Sequence, residues 1–310
     1  MPLLRNIVRA AQGQYREQGG PTNDNGLMPP RGLPPRMPIL PDNYIKETVL
    51  RQDTAPSASR LNHPGYVHVS SLVGICARQY ALAQRYQVEA VESVTGGHRI
   101  MWKIGRAVEK HVRMQFIDGQ GRQGIYGVWK CRCERIDHLG MFPARTCNYC
   151  EEQATRYFEP VLHDEENKIV GSPDLTFLVG RFYFVPVELK TMNKADWDKL
   201  EAPLPDHIAQ ASMYRYLYSL KGYLVHNNVK FVYVTKDFKW GDPYKEFQVD
   251  CTQEAVVNTV AAMVDAARRI KSARDTRVLP NRSVCQTASN SRAKGCPVAH
   301  LCFSMGENDE

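Results

Sequence analysis

Gly171-Ser172-Pro173-Asp174 … Val187-Glu188-Leu189-Lys190 is the stretch whose reading decides the fold. Val, Ile, Phe and Tyr dominate Lys168 to Val179 and Phe182 to Thr191, with Gly180-Arg181 between them, so two β-strands are predicted. Glu188 and Lys190 are two residues apart and share a face of the second strand. Asp174 and Glu188 are equidistant from Arg181, so a hairpin centred there sets the two carboxylates opposite each other. That pairing requires an odd-numbered loop or a bulge. A strict two-residue loop at Gly180-Arg181 would pair Asp174 with Val187 and turn it to the wrong face.

Two carboxylates and a lysine on one sheet face are costly to bury unless they bind something. Mg²⁺ or Mn²⁺ would satisfy the carboxylates with hard oxygen ligands. The lysine could then hold a water or help deprotonate it, and stabilise charge on a phosphate. The plainer alternative is a cross-strand ion pair on a solvated hairpin.

The chain has 310 residues, enough for one sizeable domain plus extras, and a net charge of +7 that suits a polyanionic partner without requiring one. No apolar run reaches transmembrane length, so no membrane association is expected. Met1 to Arg16 is basic but lacks the apolar core of a secretion signal. The expected location is cytoplasmic, and there the nine cysteines point to metal ligation rather than disulfides. Ten of the nineteen prolines precede Tyr66, so residues 1–62 read as an extended arm, with residues 63–310 as the folded domain.

Within that domain, Ser70-Ser71 caps a helix expected to run to about Tyr86, with Leu72, Cys76, Tyr80 and Ala83 on one stripe. A second helix is expected from about His98 to Phe116, with Met101, Ile104, Val108 and Val112 inward. Glu109 lies one turn after Gly105, where a glycine would let another backbone come close. A solvated glutamate beside a helix defect is the alternative. Trp129-Lys130-Cys131-Arg132-Cys133 … Cys147-Asn148-Tyr149-Cys150 holds two cysteine pairs with thirteen residues between them. That spacing suits a closed, structural Cys₄ zinc site. It is read as a small flap, residues 124–155, inserted before a strand from Arg156 to His163.

Past the hairpin, a helix is expected from Pro205 to about Lys221, with Gln210 and Tyr214 one turn apart on one face. A strand follows from Val229 to Thr235. Lys221 to Lys245 interleaves lysines with Tyr223, Tyr233, Phe238, Trp240 and Tyr244. Two readings stand side by side: a surface that stacks single-stranded bases, or a sheet edge with half its aromatics in the core. A long helix is expected from Thr252 to about Arg274, with Val256, Val257, Val260, Met263, Val264 and Ile270 inward. Its basic end, from Arg268 to Arg282, suits phosphate tracking or a solvated helix terminus. Cys285, Cys296 and Cys302 lack a fourth partner, and Cys76 is the natural candidate. Soft S₄ ligation suits zinc or an iron–sulfur cluster.

Taken in order, these pieces resemble the RecB-like PD-(D/E)XK nucleases, in particular the iron–sulfur branch with CRISPR-associated exonucleases and AddB-type nuclease domains. The resemblance rests on Ser71-x4-Cys76-x-Arg78, Gly105-x3-Glu109, Gly171-Ser172-Pro173-Asp174, Glu188-Leu189-Lys190, Gln210-x3-Tyr214 and Cys285/Cys296/Cys302. It implies an α/β restriction-endonuclease-like core: a mixed central sheet flanked by helices. Asp174, Glu188 and the Leu189 carbonyl would bind Mg²⁺ or Mn²⁺, with Glu109 standing where many members have histidine. Lys190 would position the hydrolytic water, and Gln210 and Tyr214 would support the site and the DNA. Cys76, Cys285, Cys296 and Cys302 would hold a [4Fe–4S] cluster. Ten residues separate Cys285 from Cys296 where the family commonly has two, which keeps zinc open there. The implied activity is exonucleolytic cleavage of single-stranded DNA ends, within recombination, repair or CRISPR-type assemblies. A non-catalytic DNA-binding adaptor and a structure-specific endonuclease are the alternatives.

Overall fold

The computed structural model describes residues 65–88, 96–119, 124–135, 137–142, 146–180, 182–237 and 241–305. The proline-rich arm, Phe238 and Trp240 lie outside them. The described residues all belong to one compact unit, Ala55–Glu310.

The chain is a mixed α/β fold built around a four-stranded sheet. Its strands are β7 (Leu175–Val179), β8 (Tyr183–Met192), β9 (Asn228–Thr235) and β10 (Tyr244–Asp250), in the order β10-β9-β8-β7. β8 and β9 run parallel, and the other two pairings are antiparallel. A parallel pair needs a crossover, which α5 (Pro205–Leu220) supplies. α5 starts with proline at its first turn, where a missing N–H costs nothing. It is buried through Ala211, Met213, Tyr214, Leu217 and Tyr218 against this sheet and α6 (Glu254–Thr276). β1 (Val67–His68), β6 (Ile169–Gly171) and β5 (Leu162–Asp164) form a second, smaller sheet. β3 (Asp137–Met141), β2 (Tyr126–Lys130) and β4 (Arg156–Phe158) form a third. The helix α3 (Gly96–Asp118) packs against β8.

The hairpin register is the one required. Leu175 pairs with Val187 and Val179 with Tyr183, so the loop is the three residues 180–182 and Asp174 falls opposite Glu188. The first strand is shorter than expected. Lys168 to Val179 divides into β6 and β7 at Ser172-Pro173-Asp174, because proline cannot donate to a ladder. Arg156 to His163 likewise divides into β4 and β5, in different sheets, around Pro160. The expected helix from Ser70 is two: α1 (Val69–Leu72) and α2 (Ala77–Arg85), separated at Gly74, whose φ of +62° ends the first. Cys76 therefore caps α2 and does not lie on a continuous stripe.

The apolar pattern also misplaces parts of α3 and α6. Met101 and Ile104 are exposed, because α3 meets the sheet from Gly105 onward and its first turns project beyond it. In α6, Val256, Met263, Val264 and Ile270 are buried, but Val257 is 50% exposed. The connection after β8 carries a short helix, α4 (Lys194–Asp198), capped by Asn193. The described part of the run from Lys221 to Lys245 is mostly the interior strand β9 and its flanks, and only Tyr244-Lys245 enters the edge strand β10: Tyr223 packs against the core and Tyr233 is fully buried. Lys230 pairs with Glu246, and Lys245 donates to the carbonyls of Trp197 and Leu200. The basic end of α6 is largely engaged in structure too. Arg269 pairs with Asp265, Arg274 donates to Gly65, and Arg282 donates to Cys302 and Met305.

The facing of α6 is open to test. Val256→Ala should cost about 1–2 kcal/mol of stability, the loss of two buried methyls. Val257→Ala should stay within about 0.5 kcal/mol of the parent. Denaturant midpoints of the two variants check this, and equal losses would contradict the observed facing.

Candidate active site and cysteine centres

Asp174 ends the break between β6 and β7, and its Oδ2 accepts the Leu189 amide at 2.8 Å. The carboxylate is thereby locked to the strand that carries Glu188. Glu188 is only 2% exposed, and its Oε1 lies 2.6 Å from Lys190 Nζ. Its Oε2 is buried without a hydrogen-bond partner. Lys190 also donates to Gln210 Oε1 at 3.2 Å, and the Gln210 amide donates to the Tyr214 hydroxyl at 2.8 Å. The predicted pair on α5 thus extends the acidic hairpin into one polar chain. Glu109 approaches from the opposite sheet face, accepting from the Thr191 hydroxyl at 3.4 Å. The glycine one turn earlier makes this approach possible. A Cβ on Gly105 would lie 2.7 Å from Thr191 Oγ1.

The electrostatics follow from burying like charges together. Burial, reinforced by Asp174, pushes Glu188 up to about 8 despite its lysine. Burial raises Glu109, and Asp174 adds to it. Burial raises Asp174 against the pull of the Leu189 amide. Burial by itself would lower Lys190, but Glu188, Asp174 and Glu109 outweigh it, and the ammonium is held above its ordinary value. Lys190 is therefore a fixed cation and donor in this arrangement.

The sequence reading missed several neighbours. Arg113, one turn past Glu109 on α3, forms an ion pair with Glu159. Burial, partly offset by Arg113 and reinforced by Asp174, raises Glu159 to about 7. The Tyr157 hydroxyl donates to the Asp174 carbonyl at 3.4 Å. His207 lies one turn before Gln210 on α5, with Nδ1 2.8 Å from the Tyr233 hydroxyl. Only the i, i+3, i+7 row His207–Gln210–Tyr214 was there to be found in the sequence. Glu159 and Tyr157 arrive through tertiary packing.

Cys131, Cys133, Cys147 and Cys150 converge, and could hold a metal ion. Among the described residues they are the group whose ligand atoms all lie within 4.8 Å of one another. The Cys131–Cys133 and Cys133–Cys147 sulfurs are 3.2 and 3.6 Å apart. The Tyr149 and Cys150 amides point at the Cys147 sulfur and lower it to about 6, favouring the thiolate a metal needs. Cys131 and Cys147 share one buried cluster with Trp129, Val112, Leu175, Val187 and Leu189.

Cys76, Cys285, Cys296 and Cys302 line a single small pocket, together with Arg78, Arg282 and Arg292. Burial pushes the Cys296 thiol up, and the adjacent Cys76, Cys302 and Cys285 add to it. These four sulfurs are not gathered as tightly as the first quartet. The arginines brace the walls: Arg78 donates to the Pro280 carbonyl, Arg282 to Cys302 and Arg292 to Gly74. Cys251, by contrast, is buried 3.3 Å from the Ser212 hydroxyl and belongs to neither set.

Likeness to known proteins is distant. No protein-family model and no curated protein matches the chain. Solved structures do. A protein designated SSO0001 is 18% identical, covering 84% of this chain and 96% of its own, with a TM-score of 0.43. The alkaline exonuclease LHK-Exo of Laribacter hongkongensis is 15% identical, covering 70% of this chain and 93% of its own, with a TM-score of 0.42. Its complex with dAMP gives 0.40. At this degree of likeness, activity has to be read from this chain's own side chains. No helix among the described residues is long and apolar enough to cross a membrane.

The environment of His207 gives a pH signature. Burial, with the Lys190 charge adding, lowers its pKa to about 4. The unfolded chain takes up that proton below about 6.5, so the contribution is full above that pH and is lost as pH falls toward 4. Wild-type protein should lose more melting temperature between pH 6.5 and 4.5 than His207→Gln, measured by thermal scans. Parallel pH profiles would contradict it.

Proposed function

We propose that the chain is a metal-dependent deoxyribonuclease of the PD-(D/E)XK type, with Asp174, Glu188 and Lys190 as its working residues. One observation carries the reading: a carboxylate oxygen, Glu188 Oε2, is buried with no hydrogen-bond partner beside a second carboxylate. An orphaned anionic oxygen is expensive in any protein interior, and a divalent cation with oxygen preference relieves that cost. Asp174 and Glu188, with the Leu189 carbonyl, would hold Mg²⁺ or Mn²⁺, and Glu109 would complete the set from α3. When bound, the cation supplies Lewis-acid polarisation of a phosphodiester. Lys190, kept protonated by its acidic neighbours, orients a water and offsets charge growing on the phosphate. Gln210 fixes that ammonium, and Tyr214 fixes Gln210. An unfavourable buried cluster thus becomes a site that is complementary to a cation and a polyanion together.

The order of the motifs supports DNA as the substrate, with exonucleolytic action on single-stranded ends, in recombination, repair or CRISPR-type processing. The residue chemistry supports zinc at Cys131, Cys133, Cys147 and Cys150, where sulfur spacings of 3.2 and 3.6 Å approach the roughly 3.8 Å of a tetrahedral thiolate cage. The shared pocket of Cys76, Cys285, Cys296 and Cys302 supports soft all-sulfur ligation there, and the order of the motifs favours an iron–sulfur cluster over a second zinc.

Asp174→Asn, Glu188→Gln and Lys190→Ala should each lower Mg²⁺- or Mn²⁺-dependent cleavage by at least about 100-fold, while far-UV spectra stay unchanged. Full activity in any of them refutes the assigned site. Labelled linear single strands should be degraded and circular single strands left uncut, and cutting of circles would make the enzyme an endonuclease. Anaerobically purified protein should be brown, absorb broadly near ~400 nm and carry one equivalent of zinc by elemental analysis. Colourless protein with two equivalents of zinc would replace the cluster by a second zinc.

A further inference from the structure

The cysteine insertion is joined to the acidic site by one strand. β2 ends at Lys130 and leads into Cys131 and Cys133, and the segment carrying Cys147 and Cys150 leads into β4, which pairs back onto β2 with Tyr157 opposite Trp129. The Cys133 and Cys147 sulfurs, 3.6 Å apart, bring the two segments together. Trp129 is fully buried beneath them, its indole N–H donating to the Gly140 carbonyl and its ring 5.3 Å from that of Tyr157. Tyr157 lies across β2 at Gly127, where a Cβ would fall 2.2 Å from the tyrosine ring. Only a glycine there leaves room for the ring to pass over the strand. Its hydroxyl then reaches the Asp174 carbonyl at 3.4 Å. Glu159, two residues on, pairs with Arg113, one turn past Glu109.

These contacts have a direction. Asp174 is held at both ends, its carboxylate by the Leu189 amide and its carbonyl by Tyr157. The helix bearing Glu109 is held by Arg113 on Glu159. We infer that the metal held by the cysteine insertion sets the position of the acidic site, with Tyr157 and Glu159 as the positioning residues that transmit it. The inference rests on the reading of Asp174 and Glu109 as cation ligands. Without their metal, four sulfurs this close lose what holds them together. β4 is then free to shift, and the two carboxylates lose their alignment.

The test uses Mn²⁺ binding by titration calorimetry without DNA, together with kcat and KM on linear DNA. Tyr157→Phe and Glu159→Gln should each weaken Mn²⁺ binding and lower kcat by about 10-fold or more. KM for DNA should stay within about two-fold, since neither residue is proposed to touch the substrate. Both variants should keep their zinc. Cys150→Ser should lose it and show the same loss of Mn²⁺ affinity. Zinc-free Cys150→Ser with wild-type Mn²⁺ affinity would overturn the inference, and should that variant fail to fold, wild-type protein stripped of its zinc takes its place under the same criterion. Wild-type Mn²⁺ affinity and kcat in both Tyr157→Phe and Glu159→Gln would overturn the inference while leaving the nuclease reading intact. Absence of Mn²⁺ binding and cleavage in the wild type would overturn that reading, and the inference with it.

Discussion

The buried carboxylate of Glu188 is the constraint around which the fold is arranged. Its Oε1 has a partner in Lys190 and its Oε2 has none. A buried carboxyl group with one oxygen unpartnered is costly to hold, charged or protonated, so the surrounding structure must hold it there against that cost. β8 does so from the middle of the sheet, flanked by β7 and β9. Asp174 is fixed beside it by the Leu189 amide, and Lys190 is fixed by Gln210 on the crossover helix. None of these groups relieves the others completely. Glu188 stays raised to about 8 because burial and Asp174 together outweigh the lysine. That imbalance separates the cluster from an exposed hairpin ion pair, whose charges water would stabilise, and it underlies the proposed cation site.

Much of this was legible in the sequence because it depends on periodicity. The period of two places Glu188 and Lys190 on one face, and the symmetric spacing about Arg181 demands the three-residue loop that occurs. The row Gln210–Tyr214 follows from the helical repeat in the same way. What failed did so for local reasons. Pro173 and Pro160 cut two expected strands into four pieces, and Gly74 cut a helix. Apolar patterns on α3 and α6 did not reveal where each helix runs past its neighbours, which left Met101, Ile104 and Val257 exposed. The aromatics Tyr223 and Tyr233 resembled a stacking surface only until their burial was known. Glu159 and Tyr157 carried no local signal, since they reach the site through the pairing of β4 with β2.

The two cysteine sets differ in a way that spacing does not reveal. Cys131, Cys133, Cys147 and Cys150 come from two short turns within one small sheet, so local geometry brings the sulfurs into contact. The Tyr149 and Cys150 amides do part of the work, lowering Cys147 to about 6. Cys76 is a helix cap far along the chain from Cys285, Cys296 and Cys302. Bringing these together closes a loop of more than two hundred residues, a large entropic constraint on the unfolded chain. Arg78, Arg282 and Arg292 bind backbone carbonyls at the same junction, so the pocket walls are held by side chains from both ends of the domain.

Cys131 and Cys147 are buried in the same apolar cluster as β7 and β8, and this changes what the insertion is for. A detached zinc loop could be deleted with little effect on a distant site. Here Cys131 and Cys147 pack with Leu175, Val187 and Leu189, residues that alternate with the site residues along β7 and β8. The apolar sides of those strands and the sulfur cage are one packed unit, and packed units transmit displacement because they have little free volume. Tyr157 and Glu159 add two polar tethers from that unit to the backbone of Asp174 and the helix of Glu109. The acidic cluster is thus supported on three sides: by α5 through Gln210, by α3 through Gly105, and by the insertion through β4.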